Sequence, residues 1–230
     1  MQQFLSRLFS RLMKSWSWVL LIIGTIFIKW ASWYPGWVEQ NYSLGIYPVI
    51  ASTQRFLFGW LPVSLGDLFY GFLILVILYK TFILFRTLFR KQFTRQYFIT
   101  GLQQILFFIL FVYVLFNLFW GLNYNRKGIA RQLGLEVKQY TIQDLDTLTS
   151  VIQERVNYYA GMVTEAQRDS FDRKKTLFHS AVAAYKQAAL QFPFLTYRNP
   201  SIKPSLFSYL GNYLGFQGYY NPFSGEAQVN

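Results

Sequence analysis

Apolar residues crowd the first half of the chain into three runs, with basic residues ahead of the first and between the second and third. The first run extends over residues 16–33, the second over 66–86 and the third over 105–122. At 1.5 Å per helical residue the first covers roughly 27 Å, close to the ~30 Å hydrocarbon thickness of a bilayer. Trp16 and Trp18 at one end, and Trp30, Trp33, Tyr34 and Trp37 at the other, read as interfacial aromatic belts. No Asp, Glu, Lys, Arg or His occurs between Arg95 and Arg126, around the third run. Ahead of the first run, Phe4, Leu5, Leu8, Phe9 and Leu12 share one helical face and Arg7, Arg11 and Lys14 the other, which predicts an interfacial helix over residues 1–15. Between the first two runs, Pro35, Pro48 and Pro62 predict a broken segment, rich in aromatics, resting on the outer leaflet.

After residue 124 the pattern changes. Thr141-Ile-Gln-Asp144 carries the signature of a helix N-terminus, and Leu145, Leu148, Ile152, Val156 and Tyr159 follow at three- and four-residue spacing. A second helix is expected over Glu165 to Gln191 and a short one over Ser205 to Leu214. Asn221-Pro-Phe-Ser-Gly225 has the residues of a tight turn, and Ala227 to Asn230 alternates apolar and polar as a strand does. The fold class is therefore mainly α: three transmembrane helices in residues 16–124, then a small extracytoplasmic helical domain, 125–230. That domain ends in a turn and the start of a β-strand expected to find its partner beyond Asn230.

Composition adds to this picture only through its placement. Hydrophobic residues make up 53% of the chain, aromatic residues 21% and charged residues 14%, with a net charge of +12. Arg7, Arg11 and Lys14, and then Arg86, Arg90, Lys91 and Arg95, sit where a positive-inside bias would put them. No nucleic-acid-binding module accompanies them, so nucleic acid is not an expected partner. There is no cysteine, which excludes a disulfide scaffold and a cysteine nucleophile.

Candidate chemistry is sparse. His179 is the only histidine and has no acidic neighbour at a useful helical spacing, so it reads as a surface residue. Asp67 reads as an interfacial charge favoured by a helix N-terminus, Lys29 and Lys80 as snorkelling cations, and Asn117 as a hydrogen-bonding group towards a neighbouring helix. Gly211, Gly215 and Gly218 lack the strand and Lys-Ser/Thr of a phosphate loop. Tyr219 and Tyr220 could stack on a sugar ring or simply pack.

Pro62-Val-Ser-Leu-Gly-Asp67, Phe119-Trp-Gly-Leu-Asn-Tyr124 and Gly218-Tyr-Tyr-Asn-Pro-Phe-Ser-Gly-Glu-Ala-Gln-Val-Asn230 resemble an uncharacterised bacterial membrane family, domain of unknown function 3810. The resemblance implies three membrane helices followed by an extracytoplasmic zincin-like domain, with an H-E-x-x-H helix soon after the segment matching Glu226 to Asn230. No H-E-x-x-H occurs in this sequence, so no catalytic, metal or cofactor residue carries over, and zinc is expected only in a longer form. What remains is a substrate-edge strand at Glu226, Ala227, Gln228, Val229 and Asn230, which in a zincin-like site would hold a peptide by backbone pairing. A plain structural hairpin is the alternative for the same residues. Three functions stay open: the anchor and partial outer domain of a zinc-metallopeptidase-like membrane protein, a non-enzymatic membrane protein that binds an envelope component, and a small channel or transporter subunit. The lipid bilayer is the expected partner in each, with a peptide or envelope component outside. The expected location is the bacterial cytoplasmic (inner) membrane, multi-pass, with the N-terminus inside and the C-terminal domain outside.

Single cysteines placed at Ser10, Gln92 and Gln167 test this topology with an impermeant maleimide added from the outer face. Only the Gln167 variant should be labelled; labelling at Gln92 would reverse the assignment.

Overall fold

A computed structural model describes residues 15–136 and 139–230, so the interfacial helix expected over 1–15 lies almost wholly outside the described residues. The chain is mainly helical, with a small sheet near its C-terminus, and forms two compact units. The first joins the residues up to Lys127 to Ser201–Asn230; the second is Gly128–Pro200. The single outer domain drawn over 125–230 is thus divided, and its last thirty residues belong with the apolar helices.

In the first unit, α1 (Ser15–Ser32) stops where Tyr34 precedes a proline, at φ −119° and ψ 75°. The proline ring disfavours helical backbone in the residue before it. The chain then turns by 100° into a second helical stretch, Pro35–Phe58. That stretch consists of a single turn (Pro35–Trp37), a π-helix (Val38–Ile46) and α2 (Tyr47–Phe58). The expectation of a broken segment is corrected here. Pro35 sits at the first position of its helical segment, where a missing N–H costs nothing, and Pro48 follows the π-helix within the continuous helical stretch. Only Pro62 lies in the non-helical link to the next helix.

Two 25-residue helices follow, α3 (Leu65–Phe89) and α4 (Arg95–Phe119), each about 37 Å long. Both are long and apolar enough to cross a membrane; α1 with its bent continuation makes a third candidate. α4 starts ten residues before the run expected at 105–122, because Thr94 caps it, its Oγ1 accepting from Tyr97 N at 3.1 Å. The core of this unit gathers Ile28 and Ala31 of α1, Val38 and Tyr42 of the π-helix, and Leu122. The Tyr42 hydroxyl lies 3.1 Å from the carbonyl of Asn117 and 3.0 Å from that of Leu118, covering carbonyls that the end of α4 leaves unpaired. Asn117 turns back on its own helix, its Nδ2 donating to Tyr113 O at 2.8 Å, and not to a neighbouring helix as expected.

In the second unit, α5 (Ile142–Met162) begins with a capping box in which Thr141 and Asp144 each satisfy the other's backbone N–H. Those hydrogen bonds, the backbone one first, hold the Asp144 carboxyl below its ordinary value. The helix expected over 165–191 is two, α6 (Glu165–Asp172) and α7 (Lys174–Gln191), separated by Arg173 in an extended conformation. No proline or glycine marks that break, so periodicity alone ran through it.

The sheet lies in the first unit. Its strands β1 (Ile202–Pro204), β2 (Gly218–Asn221) and β3 (Glu226–Val229) are ordered β1-β3-β2, with α8 (Ser208–Leu214) between β1 and β2. β3 runs parallel to β1 and antiparallel to β2. The turn expected at 221–225 forms: Asn221 Oδ1 accepts from Phe223 N at 3.0 Å and Ser224 N at 3.2 Å, and Gly225 takes φ +70°. The reading of 227–230 as an unfinished edge strand is overturned, since β3 is the middle strand and has a partner on each side. β1 was hidden because Ile-Lys-Pro is too short for alternation to show, and β2 because Gly-Tyr-Tyr-Asn reads as turn.

A paired central strand predicts slow amide exchange at its end. Ala227 N donates to Ser201 O at 3.1 Å and Asn230 N to Gln217 O at 3.0 Å. Both amides should exchange at least tenfold more slowly than those of exposed loops; exchange at loop rates would mean that the sheet does not persist.

Candidate functional site

Strand alternation normally puts apolar side chains inward, but this sheet does the reverse. In β3 the buried residues are Glu226 and Gln228, while Ala227 and Val229 are only half-buried. Register places Lys203 and Tyr219 on either side of Gln228, and Asn221 beside Glu226. Glu226 and Asn221 are 0% exposed, Gln228 1% and Lys203 5%. The result is a closed polar layer against the end of α2 and the start of α3.

Its bonds are specific. The Lys203 ammonium pairs with Glu226 and also donates to Phe58 O at 2.9 Å and Val63 O at 3.1 Å. These three acceptors match the three donors of an ammonium group. Ser201 Oγ donates to Glu226 Oε1 at 3.3 Å. Asp67, in the first turn of α3, accepts from Leu206 N at 2.6 Å and from the Tyr219 hydroxyl. Ser64 caps α3 through Asp67 N at 3.1 Å and is bonded by the Gln228 amide. Gln54 Nε2 donates to Pro222 O at 3.1 Å, and Arg55 reaches Gly225 O at 3.4 Å, fixing the hairpin turn on α2. Burial, and next the hydrogen bond to Asp67, push the Tyr219 hydroxyl above its ordinary pKa, so it remains a donor. Gly66 is required by contact: a Cβ there would overlap the Asn221 amide.

Of the residues expected to form a substrate edge, Glu226 and Gln228 point into this layer, Ala227 and Val229 towards the other face, and Asn230 bonds Phe216 O. Because β1 and β2 occupy both sides of β3, a peptide cannot pair with it as an edge. Asp67 is 1% exposed, so the interfacial charge expected there is instead a buried acceptor. Tyr219 and Tyr220 are used internally: the Tyr220 hydroxyl bonds that of Tyr47 at 3.0 Å and its ring lies 5.8 Å from Trp120. His179 is exposed on α7. Sequence reasoning missed Lys203, Gln54 and Arg55. The one signal for Lys203 was its position between Pro200 and Pro204, where a lone charge has no helical face to occupy.

The three quoted stretches meet here in space: Ser64 to Asp67 bonds the C-terminal sheet, and Trp120 packs on Tyr220. Fold and site together define a helical, membrane-associated protein that carries a small sheet locked onto the end of its apolar helices. The chain belongs to the family described as protein of unknown function, DUF3810, whose model matches residues 42–230 and so includes every residue of the polar layer. No curated protein and no solved structure matches the chain.

Removing one member of a buried ion pair strands the other charge, at about 3–5 kcal/mol. Lys203→Met should therefore lower the unfolding free energy by about that much, and adding Glu226→Gln should restore part of it, as read by chemical denaturation in detergent. Equal stability of Lys203→Met and the parent would show that the pair does not hold the sheet.

Proposed function

We propose that these residues form the membrane anchor and rigid outer platform of a zinc-metallopeptidase-like integral membrane protein of the bacterial inner membrane. The observation that carries this reading is the closed polar layer, which fixes the sheet to Ser64–Asp67 at the start of α3. The basic residues Arg86, Arg90 and Lys91 lie at the far end of that helix, so a positive-inside orientation sets the sheet outside. The family resemblance supplies the zincin-like element of the proposal.

Zinc does not fit the residues at hand. A catalytic site generally takes three protein ligands, and among the described residues no three of His, Cys, Asp and Glu converge. Metal-binding groups would have to come from outside these residues, and no catalytic step is assigned to them. Their part is to anchor, orient and hold. Nor does a stacking site for an envelope sugar gain support, since Tyr219 and Tyr220 are engaged within the fold.

The reading is tested in two measurements on the 230-residue chain. Membranes washed with alkaline carbonate should retain it, and the purified protein, offered zinc and then desalted, should hold far less than one metal per chain and cleave no peptide. One retained zinc per chain, with cleavage lost in His179→Ala, would overturn it.

A further inference from the structure

We infer that two copies of this chain associate through α5, running antiparallel about Ile152. Over its 21 residues α5 has none buried, although Leu145, Leu148, Ile152, Val156 and Tyr159 form one apolar stripe. Ile152 itself is 52% exposed. An amphipathic helix of this length is ordinarily stabilised by covering that stripe.

The stripe is symmetric about its centre. Leu148 and Val156 each stand four residues from Ile152, and Leu145 and Tyr159 each stand seven. A second copy related by a two-fold axis at Ile152 therefore sets its Leu148 beside Val156 and its Leu145 beside Tyr159, the self-complementary arrangement of an isologous contact. The receiving surface already exists as an open groove of about 610 Å³, with Ile152, Val156, Tyr159 and Val163 as its apolar lining.

Charge selects both the partner and its direction. Asp144 lies in the first turn of α5, beside the stripe. Arg155 and Arg168 line the groove at its C-terminal half, where Arg168 Nη2 donates to Ala160 O at 2.9 Å. Antiparallel pairing brings Asp144 of each copy towards the arginines of the other, whereas parallel pairing would set like charges together. Opposed helix dipoles favour the same direction. A lipid surface fits less well, because the polar side of α5 carries Asp146 and Glu154 where an interfacial helix would be rich in lysine and arginine.

The chain has no cysteine, so single-cysteine variants of the full chain in nanodiscs give a clean test. On mild oxidation Ile152→Cys should form a disulfide-linked dimer, and a mixture of Leu145→Cys and Tyr159→Cys should cross-link. Leu145→Cys alone should not, because its own copy would lie roughly 21 Å away along the axis, and Gln143→Cys on the opposite face should stay monomeric. Ile152→Glu should weaken the dimer at least tenfold in sedimentation while leaving helix content unchanged. Self-linking of Leu145→Cys as strong as that of Ile152→Cys, a parent that sediments as a monomer, or quenching of a fluorophore at position 152 by brominated lipid would each overturn the proposal.

Discussion

The fold depends on a buried charge that has nowhere else to go. The Lys203 ammonium is closed between Glu226, the last carbonyl of α2 and the carbonyl of Val63, and so ties one helix, the link that follows it and two strands to one point. Desolvating an ion pair is expensive, and two apolar side chains of similar volume would often be as stable. A hydrophobic plug, however, would not select a register. An ammonium with three acceptors does, because sliding β3 by one residue would turn Glu226 and Gln228 out of the layer and leave Lys203 unpaired. Asp67 performs the same service one turn into α3, where its carboxylate accepts from the backbone after β1 and from the hydroxyl of β2.

The inverted sheet follows from its surroundings. At the start of an apolar helix, a polar face turned inward finds the unpaired groups of helix ends: Phe58 O, Ser64 and the first turn of α3. Helix termini always leave such groups to be satisfied. Here a sheet supplies the partners that water or isolated caps supply elsewhere. The proposed role as a platform rests on this rigidity, and the proposed α5 contact lies in the other unit.

Much of the helical architecture was legible in the sequence because hydropathy and caps are local. The apolar run before Arg86 and the Thr141–Asp144 signal led to helices at the expected places. Prolines misled where their position mattered more than their identity: Pro35 opens a helical segment and Pro48 lies within a continuous helical stretch. The site was legible only in fragments. Glu226 reads in the sequence as the first residue of an edge strand, but its partner Lys203 is 23 positions away and the acceptors Phe58 and Val63 lie at separations of 145 and 140 from that lysine. A strand of three residues ending in proline leaves no periodic trace. β3 therefore read as an edge, when the missing neighbour was a segment too short to recognise.

Those separations bear on biosynthesis. The bonds from Asp67 to Leu206 and Tyr219 span 139 and 152 residues, so the first turn of α3 is made long before the segment that covers it. Until residues 201–230 emerge, a carboxylate, a cap serine and the carbonyls of the link after α2 must be met by water or headgroups. Closure of the sheet therefore has to wait until the last thirty residues are made. A ribosome stalled before residue 201 would hold a chain in which the first turn of α3 still lacks its partners.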